Sequence, residues 1–580
     1  MRNAIASTLL VVALVLAGCA SSQPATTDAG EAPTPDTTQA GPETASDASA
    51  ADTTQAPADT ALADADVSSA PRDWFHSSRD DRNIPGLGTE TAYETLLNDQ
   101  RPRDTVTVAI IDSGVDIDHD DLEGEQWTNA DEVPDNGEDD DDNGYVDDTR
   151  GWNFIGGPDG DDVDADTYEL TRLYVDLRER FDGVDSASVS SDERDAYQRF
   201  QKIEQEFQKK RQQAQKQLQN VQKARDAVEF ATDAMSEHLD TDSLSREAVE
   251  SVSASGSDVQ RARDILLYFY RQDLSPSEVL DYHDYLKRKV EYNYNPDFNP
   301  RSIVGDDYED KTERIYGNSD VTGPDAEHGT HVAGIIGATR DNDLGVKGVA
   351  RAVRLMSVRA VPNGDERDKD VANAIRYAVD NGADVINMSF GKGYSPHKEV
   401  VDAAVQHADS MGVLMIHAAG NDGADVDTTD NYPSRRYADG GEASLWIEVG
   451  ASSWKGGKNL AAPFSNYGDE TVDVFAPGQA IYSTKPDNTY GRSDGTSMAA
   501  PMVSGVAALL MAYYPDLSPH QVRDLILETA ISYRNVTVAR PGDEDERVPF
   551  GDLSRTGAIV NVPAALDRAN EMSQFGPQSQ

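Results

Sequence analysis

From residue 105 onward, short apolar runs alternate with amphipathic stretches. Runs rich in Val, Ile and Met have the length of buried strands, at 106–111, 354–361, 383–389 and 413–418. Between them, apolar residues at 371, 375, 378 and 379 keep helical spacing, and 400–411 predicts a second helix that Gly412 ends. Buried strands that alternate with helices predict an α/β fold with a mostly parallel sheet and helices on both faces.

A different pattern fills residues 165–300, where apolar residues recur every seventh position: Phe200, Phe207, Ala214, Val221, Val228 and Met235. Lys210 and Gln217 interrupt the second core position of this heptad. A further helix is predicted at 259–270, and Ser275-Pro276-Ser277-Glu278 is a capping box that starts another. We expect an inserted α-helical coiled-coil or bundle arm.

The charge balance narrows the possible partners. Lys and Arg number 51 and Asp and Glu 105, so the net charge is −54 over 580 residues. Nucleic acid is excluded as a natural partner, because phosphate binding needs a basic face. Two explanations of the acidic surplus stay open: adaptation to high salt, which screens self-repulsion, or an acidic extracellular protein.

The only cysteine, Cys19, follows a short apolar stretch at 9–16, and Arg2 gives the chain a positive start. The sequence Leu16-Ala17-Gly18-Cys19 resembles the lipobox of bacterial lipoproteins. The resemblance implies cleavage before Cys19, lipidation of its thiol and an extracytoplasmic protein anchored to the lipid bilayer, with the outer membrane favoured if there is one. An ordinary secretory signal is the alternative. Residues 19–70, poor in apolar side chains, predict a disordered tether.

Polar residues that suit nucleophilic catalysis occur in four separate segments. Asp112 ends the first strand-like run, His328 lies in His-Gly-Thr-His, and Asn421 follows the run at 413–418. Ser497 opens a long apolar helix within Gly-Thr-Ser-Met-Ala-Ala-Pro. Serine needs a positioned base, and Asp, His and Ser can form one. Taken alone, the His-Gly-Thr-His segment is equally consistent with a metal-binding pair, and His331 is expected to be structural.

Together these segments resemble those of the subtilisin-like serine peptidases, over about 100–160 and 320–530. The resemblance implies a serine endopeptidase acting on proteins or peptides through an acyl-enzyme. Ser497 would be the nucleophile, His328 the base, Asp112 the carboxylate that orients His328, and Asn421 an oxyanion donor. Ser389, Phe390 and Gly391 resemble the segment that pairs with an extended substrate. No organic cofactor is expected.

Two alternatives compete with a peptidase. A surface scaffold or adhesin could keep a vestigial peptidase core and bind through its helical arm. A hydrolase with a Gly-x-Ser-x-Gly elbow is disfavoured, because no glycine stands two residues after Ser497. The arm itself could serve packing, self-association or restriction of access to the cleft.

An acidic segment at 139–147 has the Asp-x-Asp-x-Asn-Gly spacing of a calcium loop. Its candidate ligands are Asp139, Asp141, Asn143, the Tyr145 carbonyl and Asp147. Arg150 at the twelfth position departs from an EF-hand, and a merely solvated acidic loop is the alternative. By resemblance alone, Asp121 and Asn342 match ligands of a structural calcium site in subtilisins.

We therefore predict six regions: a signal peptide, a tether, two peptidase parts separated by the helical insertion, and a C-terminal extension. The signal peptide is 1–18 and the tether 19–70. The two peptidase parts are 71–164 and 301–535, and the helical insertion between them is 165–300. The C-terminal extension is 536–580.

Overall fold

The computed structural model describes residues 69–82, 84–241, 244–253, 256–272 and 274–575. The predicted signal peptide, Cys19 and the tether as far as residue 68 lie outside the described residues. The chain divides into two compact units. Among the described residues, one unit lies within Lys209–Val290, and the other combines residues 69–208 with 291–575.

The strands are numbered in chain order: β1 (Val106–Asp112), β2 (Gly151–Asn153), β3 (Val353–Arg359), β4 (Val385–Met388), β5 (Leu414–Ala418), β6 (Trp446–Ser452), β7 (Val474–Pro477), β8 (Ile481–Lys485), β9 (Thr489–Ser493), β10 (Ile531–Ser532), β11 (Thr537–Arg540), β12 (Asp543–Pro549) and β13 (Ala558–Ile559). The four strands expected from apolar runs are present as β1, β3, β4 and β5, with ends shifted by at most two residues.

The α-helices are α1 (Arg79–Arg82), α2 (Thr89–Thr95), α3 (Glu169–Phe181), α4 (Arg194–Leu239), α5 (Arg246–Ser251), α6 (Ser257–Tyr270), α7 (Pro276–Arg288), α8 (Arg301–Val304), α9 (Glu327–Gly337), α10 (Asp368–Asp380), α11 (Lys398–Met411), α12 (Thr496–Tyr513), α13 (Pro519–Glu528) and α14 (Val562–Phe575). Short 3₁₀ turns occur at Trp74–His76, Asp120–Leu122, Ser186–Ser188, Ser191–Glu193, Gly457–Asn459 and Phe550–Asp552, and a π-turn at Lys289–Asn293.

The main sheet has nine strands in the order β10-β13-β7-β6-β5-β4-β1-β3-β2. All neighbours pair in parallel except β10 and β13. In a parallel sheet the carboxyl ends of the strands share one edge, where sites usually gather. The ends of β1, β4 and β5 are therefore neighbours, with Ile111 opposite Met388 and Met388 opposite His417.

Helices cover both faces of this sheet, as predicted. On one face, α9 and α12 bury Val332, Ile336 and Val503 against the strands. On the other, α10 and α11 bury residues such as Ile375 and Val405. Within the described part of the chain, α12 is the one helix long and apolar enough to cross a membrane, but it is 94% buried and serves as a core helix.

The unit at Lys209–Val290 is helical and has its own apolar clusters. The heptad residues of α4 are buried, Val221 and Val228 beside Leu286 and Met235 beside Leu266. The predicted capping box at Ser275 is present at the start of α7. The compact unit is narrower than the predicted insertion at 165–300, because α3, the first part of α4 and residues 291–300 belong to the other unit.

Residues of the predicted C-terminal extension, in the described part 536–575, contribute to the main sheet and its core. Ile559 in β13 pairs with Phe475 in β7, and α14 buries Leu566 in the same apolar core as α12. Within this segment β11 and β12 form a hairpin separate from the main sheet, as β8 and β9 do earlier in the chain. Because β13 has two residues, its apolar pattern is too short to predict the pairing.

Candidate active site

A buried carboxylate at the end of β1 holds an imidazole from α9. Asp112 is 2% exposed, and its Oδ1 lies 2.8 Å from His328 Nδ1. The same oxygen accepts the Ser113 backbone N–H at 2.7 Å, which fixes the carboxylate. His328 is the second residue of α9, and its side chain is 42% exposed. A carboxylate at Nδ1 favours the tautomer with its proton on that atom and makes Nε2 the proton acceptor.

Ser497 is the second residue of α12, where backbone N–H groups lack partners within the helix. It is half-buried, and its hydroxyl donates to the Ser389 carbonyl oxygen at 3.0 Å. The Ser389 hydroxyl in turn donates to the Ser497 carbonyl oxygen at 2.9 Å. The start of α12 is thus tied to the residue that follows β4.

Asn421 follows β5 and is oriented by α12. Its Oδ1 accepts the Thr496 backbone N–H at 2.8 Å, so the amide nitrogen is the end left to face a ligand. A Cβ placed on Gly495 would lie 3.4 Å from the Ser497 backbone nitrogen and 3.5 Å from Asn421 Nδ2. The two nitrogen atoms therefore lie within 3.5 Å of one point close to Ser497, and two donors at such a position are what oxyanion stabilisation requires.

The segment after β4 presents alternate residues to opposite sides. The Phe390 carbonyl accepts from His417 Nε2 at 2.9 Å, and Lys392 exchanges two backbone hydrogen bonds with Tyr432 at 2.9 and 3.0 Å. Residues between these point their backbone groups the other way, because successive residues of an extended chain alternate. The Ser389 carbonyl accordingly faces Ser497, and exposed Gly391 belongs to the same edge.

One known protein family matches the part of the chain that carries most of these residues. The subtilase family model matches residues 176–558, more than half of the chain. The chain belongs to the subtilase family. The matched stretch contains His328, Asn421 and Ser497, while Asp112 lies before it.

Curated subtilases resemble one part of the chain. Subtilisin NAT of Bacillus subtilis subsp. natto is 42% identical over 209 residues, which are 35% of this chain and 51% of that protein. The subtilisin of Bacillus pumilus is 42% identical over 209 residues, 35% of this chain and 70% of that protein. The thermophilic serine proteinase of Bacillus sp. strain AK1 is 40% identical over 222 residues, which are 38% of this chain and 49% of that protein. The chain spans about half the length of the first of these relatives.

Sequence reasoning missed a buried pair that contacts the predicted substrate-binding segment of this subtilase. His417 in β5 places Nδ1 2.9 Å from Glu448 Oε1, while its Nε2 contacts the Phe390 carbonyl. Trp446 Nε1 donates to the same carboxylate at 2.9 Å. Both strands have apolar patterns, so no local signal separated these two polar residues from core positions.

His331 has the structural role expected of it. It is 1% exposed, and its Nε2 lies 3.1 Å from the Ile481 carbonyl oxygen and 3.2 Å from that of Gly491. Burial lowers the pKa of His331 to about 3, so the ring stays neutral at physiological pH.

The acidic loop of this subtilase brings together a different set of groups from the one predicted. Ligand oxygens of Glu132, Asp139 and Asp141 all lie within 4.8 Å of one another. Backbone N–H groups of Asn143 and Gly144 bond to Asp139 at 3.1 and 2.8 Å, which fixes that carboxylate. Glu132 is 6% exposed, and its Oε2 is buried with no hydrogen-bond partner among the described residues. Glu132 precedes the motif by seven residues, so the spacing rule could not include it.

Two of the predicted ligands, Asp147 and Asn143, form hydrogen bonds within the loop. The Asp147 carboxylate accepts the backbone N–H groups of Asn136 and Gly137, each at 3.0 Å. Asn143 Nδ2 donates to Asp141 at 3.0 Å, and its Oδ1 accepts the Tyr145 N–H at 2.7 Å. The Tyr145 ring lies in the apolar core, and its carbonyl stays a predicted ligand. The fit to a cation therefore rests on the three clustered carboxylates.

The two residues of the second candidate calcium site, Asp121 and Asn342, lie in contact with each other. Asp121 is fully buried, and Asn342 Nδ2 donates to its Oδ1 at 2.8 Å. The Val346 backbone N–H donates to the other carboxylate oxygen at 2.8 Å. These hydrogen bonds fix the Asp121 carboxylate and leave lone pairs on both oxygens, so calcium binding at Asp121 and Asn342 stays a prediction.

Proposed function

We propose that this subtilase is a serine endopeptidase that hydrolyses peptide bonds through an acyl-enzyme at Ser497. The observation that carries the proposal is that the Ser497 backbone nitrogen and Asn421 Nδ2 lie 3.4 and 3.5 Å from the same point at Gly495. The Asp112–His328 contact at 2.8 Å supports it. A vestigial core in a scaffold protein has no need to keep these polar groups aligned.

The chemistry follows from these positions. His328 takes the Ser497 proton at Nε2 while the hydroxyl oxygen attacks the substrate carbonyl, and Asp112 stabilises the imidazolium. The Ser497 N–H and the Asn421 amide hold the oxyanion. His328 then protonates the leaving amine, and water releases the acyl group by the same steps in reverse.

Substrate binding would also release the nucleophile. The Ser497 hydroxyl donates to the Ser389 carbonyl, which lies on the edge that we assign to the substrate. A peptide that adds as a strand along Ser389, Phe390 and Gly391 can donate its own N–H to that carbonyl. The hydroxyl would then turn to His328. Main-chain pairing is tolerant of sequence and predicts broad specificity.

The test of the function is active-site labelling of the full chain. A fluorophosphonate probe should add once per chain, and peptide mapping should place the adduct on Ser497. Labelling on another residue, or hydrolysis of peptides by a fully labelled protein, would contradict the proposed mechanism.

We also propose a structural Ca²⁺ ion held by Glu132, Asp139 and Asp141. Three carboxylates at this spacing repel one another unless a cation neutralises them, and the buried Glu132 Oε2 would otherwise lack a partner. Oxygen ligands of this kind suit Ca²⁺. The ion would stabilise the loop that precedes β2 and take no part in catalysis.

Removal of Ca²⁺ should lower the thermal stability. A ligand present at about 100 times its dissociation constant contributes about 2.7 kcal/mol. We therefore expect EGTA to lower the Tm by roughly 5 °C. Glu132→Gln should abolish the effect of EGTA, while Asp142→Asn, at an exposed position of the same loop, should preserve it. An EGTA effect that is unchanged in Glu132→Gln would contradict this site.

Lipid anchoring through Cys19 and self-association through the helical arm remain proposals. We expect the full chain in a bacterial host to partition with membranes, and Cys19→Ser to move it to the soluble extracytoplasmic fraction. A Cys19→Ser variant that stays with the membrane would show that Cys19 is not the anchor. Sedimentation velocity of the soluble form tests self-association.

A further inference from the structure

Lys392 directly follows the substrate-binding segment and is buried, with its side chain 2% exposed. Its Nζ lies 3.0 Å from Glu169 Oε2, 2.8 Å from Asp368 Oδ1 and 2.7 Å from the Glu366 carbonyl oxygen. An ammonium group has three hydrogens, so these partners use all of its donors. Burial by itself disfavours the charge, but Glu169, Asp368 and Glu366 hold the pKa of Lys392 well above its usual range.

The partners of Lys392 are themselves fixed. Glu169 begins α3, and its Oε2 also accepts from Arg172 at 2.6 Å. The Glu169 backbone N–H donates to Asp365 at 2.9 Å. α3 is the first helix of the sequence region 165–300, so the charge at Lys392 connects that region to the end of β4.

The chain beyond Lys392 is held in the same way. Asp368 accepts the Ser395 hydroxyl at 3.0 Å and the His397 backbone N–H at 2.8 Å. The Tyr394 hydroxyl donates to Glu206 Oε2 at 2.7 Å. Side chains from α3, α4 and α10 thus anchor residues 392–397 on one side, and the other side leads into α11.

The backbone of Lys392 transmits this anchoring to the substrate edge. Its N–H and carbonyl form hydrogen bonds with the backbone of Tyr432, so this edge of the segment is already paired within the protein. Gly391, one residue earlier, therefore directs its backbone groups to the opposite edge, where Ser389 meets Ser497. The side chain of Lys392 has no contact with Ser497, His328 or Asn421 among the described hydrogen bonds and ion pairs, so its influence on the reaction is indirect.

We propose that Lys392 is a positioning residue: its buried ion pairs with Glu169 and Asp368 hold the Gly391 backbone in the conformation that pairs with an extended substrate. The proposal rests on the proposed peptidase function. It gives the start of the helical insertion a specific task, because Glu169 enters the chain with that insertion.

The test is the Lys392→Met variant, which keeps an unbranched side chain and removes the charge. With a tetrapeptide p-nitroanilide we expect KM to rise on the order of 10-fold with kcat within about 2-fold, since a substrate backbone hydrogen bond is weakened. Labelling by a small fluorophosphonate, which needs Ser497 and no strand pairing, should keep its wild-type rate. Lys392→Arg should restore most of the affinity for the tetrapeptide.

A matched control is Lys369→Met. Lys369 is also fully buried, and its Nζ bonds to Asp306 and Glu313 at 2.7 Å each and to the Asp307 carbonyl at 2.8 Å. It lies on α10, away from residues 389–392 in sequence and in hydrogen bonding. We expect a comparable loss of Tm with an unchanged KM, which separates positioning from general stability.

Glu169→Gln and Tyr394→Phe keep the test decisive if Lys392→Met does not fold, because both substitutions are nearly isosteric. Each should raise KM for the tetrapeptide in the same direction, by a smaller factor. An unchanged KM in all folded variants of an active enzyme would overturn the positioning role. A wild-type chain that no fluorophosphonate labels would instead overturn the peptidase function.

Discussion

Replacing Ser497 by Ala should lower kcat by about 10⁶-fold, a magnitude taken from a subtilisin, another member of this family, that lacks its nucleophile. The physical reason is that Ala lacks the oxygen that forms the acyl-enzyme, while the Asn421 amide and the backbone N–H of residue 497 remain. The residual rate should reflect oxyanion stabilisation and binding alone. Steady-state hydrolysis of a peptide p-nitroanilide measures kcat of the variant. The variant should also lose fluorophosphonate labelling.

Ser504→Ala is the matched control on the same helix. The Ser504 hydroxyl is buried and donates to Asn387 Oδ1 at 2.9 Å, and it reaches the site only through Asn387, whose Nδ2 donates to the Ser389 hydroxyl at 2.9 Å. Its removal should lower stability by about 1 kcal/mol and leave kcat within a few-fold. If Ser497→Ala retained more than a hundredth of the wild-type kcat, another group would have to be the nucleophile.

Replacing Asp112 by Asn should lower kcat by about 10⁴-fold, as the equivalent change does in a serine peptidase of a different fold. Asp112 Oδ1 faces His328 Nδ1 at 2.8 Å and can only accept a hydrogen bond. An Asn amide can place its N–H₂ there and select the tautomer with the proton on Nε2, which cannot take the Ser497 proton. The pre-steady-state rate of acylation measures this step directly.

Asp116→Asn controls for the loss of a carboxylate close to the site. The Asp116 side chain accepts backbone N–H groups of Asp118 and Asp487 at 3.2 and 2.9 Å and has no described contact with His328. The kcat of the Asp116→Asn variant should stay near that of the wild type. Equal losses in both variants would mean that the effect comes from net charge and not from the orientation of His328.

Much of the fold could be predicted because buried strands and capped helices carry local signals. Apolar runs located β1, β3, β4 and β5, and the capping box at Ser275 marked the start of α7, where the structure shows both reciprocal hydrogen bonds. β13 could not be found, since a two-residue strand is stabilised by its pairing with Phe475 and not by its own pattern.

Polar residues within buried elements were the main omission. Glu169, Lys392, His417 and Glu448 lie in segments whose sequence indicates a core or a surface helix. Their charges are tolerated only because partners distant in sequence accept or donate hydrogen bonds, with 223 positions between Glu169 and Lys392. A single sequence does not contain that pairing.

The acidic loop shows the same limit on a smaller scale. The spacing of Asp139 and Asp141 is local, and both carboxylates belong to the cluster. Glu132 also belongs to the cluster, and Asp147 does not. The loop turns so that the backbone N–H groups of Asn136 and Gly137 donate to the Asp147 carboxylate. Loop geometry, and not the order of acidic residues, determines which oxygens converge.

The sequence by itself determined the α/β class, the family resemblance and the candidate catalytic residues, since each depends on short motifs whose chemistry is local. The tertiary structure alone decided which side chains meet: Asp112 with His328, Asn421 with the start of α12, Lys392 with Glu169, and Glu132 with the acidic loop. Hydrogen bonds and ion pairs act over about 3 Å, and only the folded chain brings residues hundreds of positions apart within that distance.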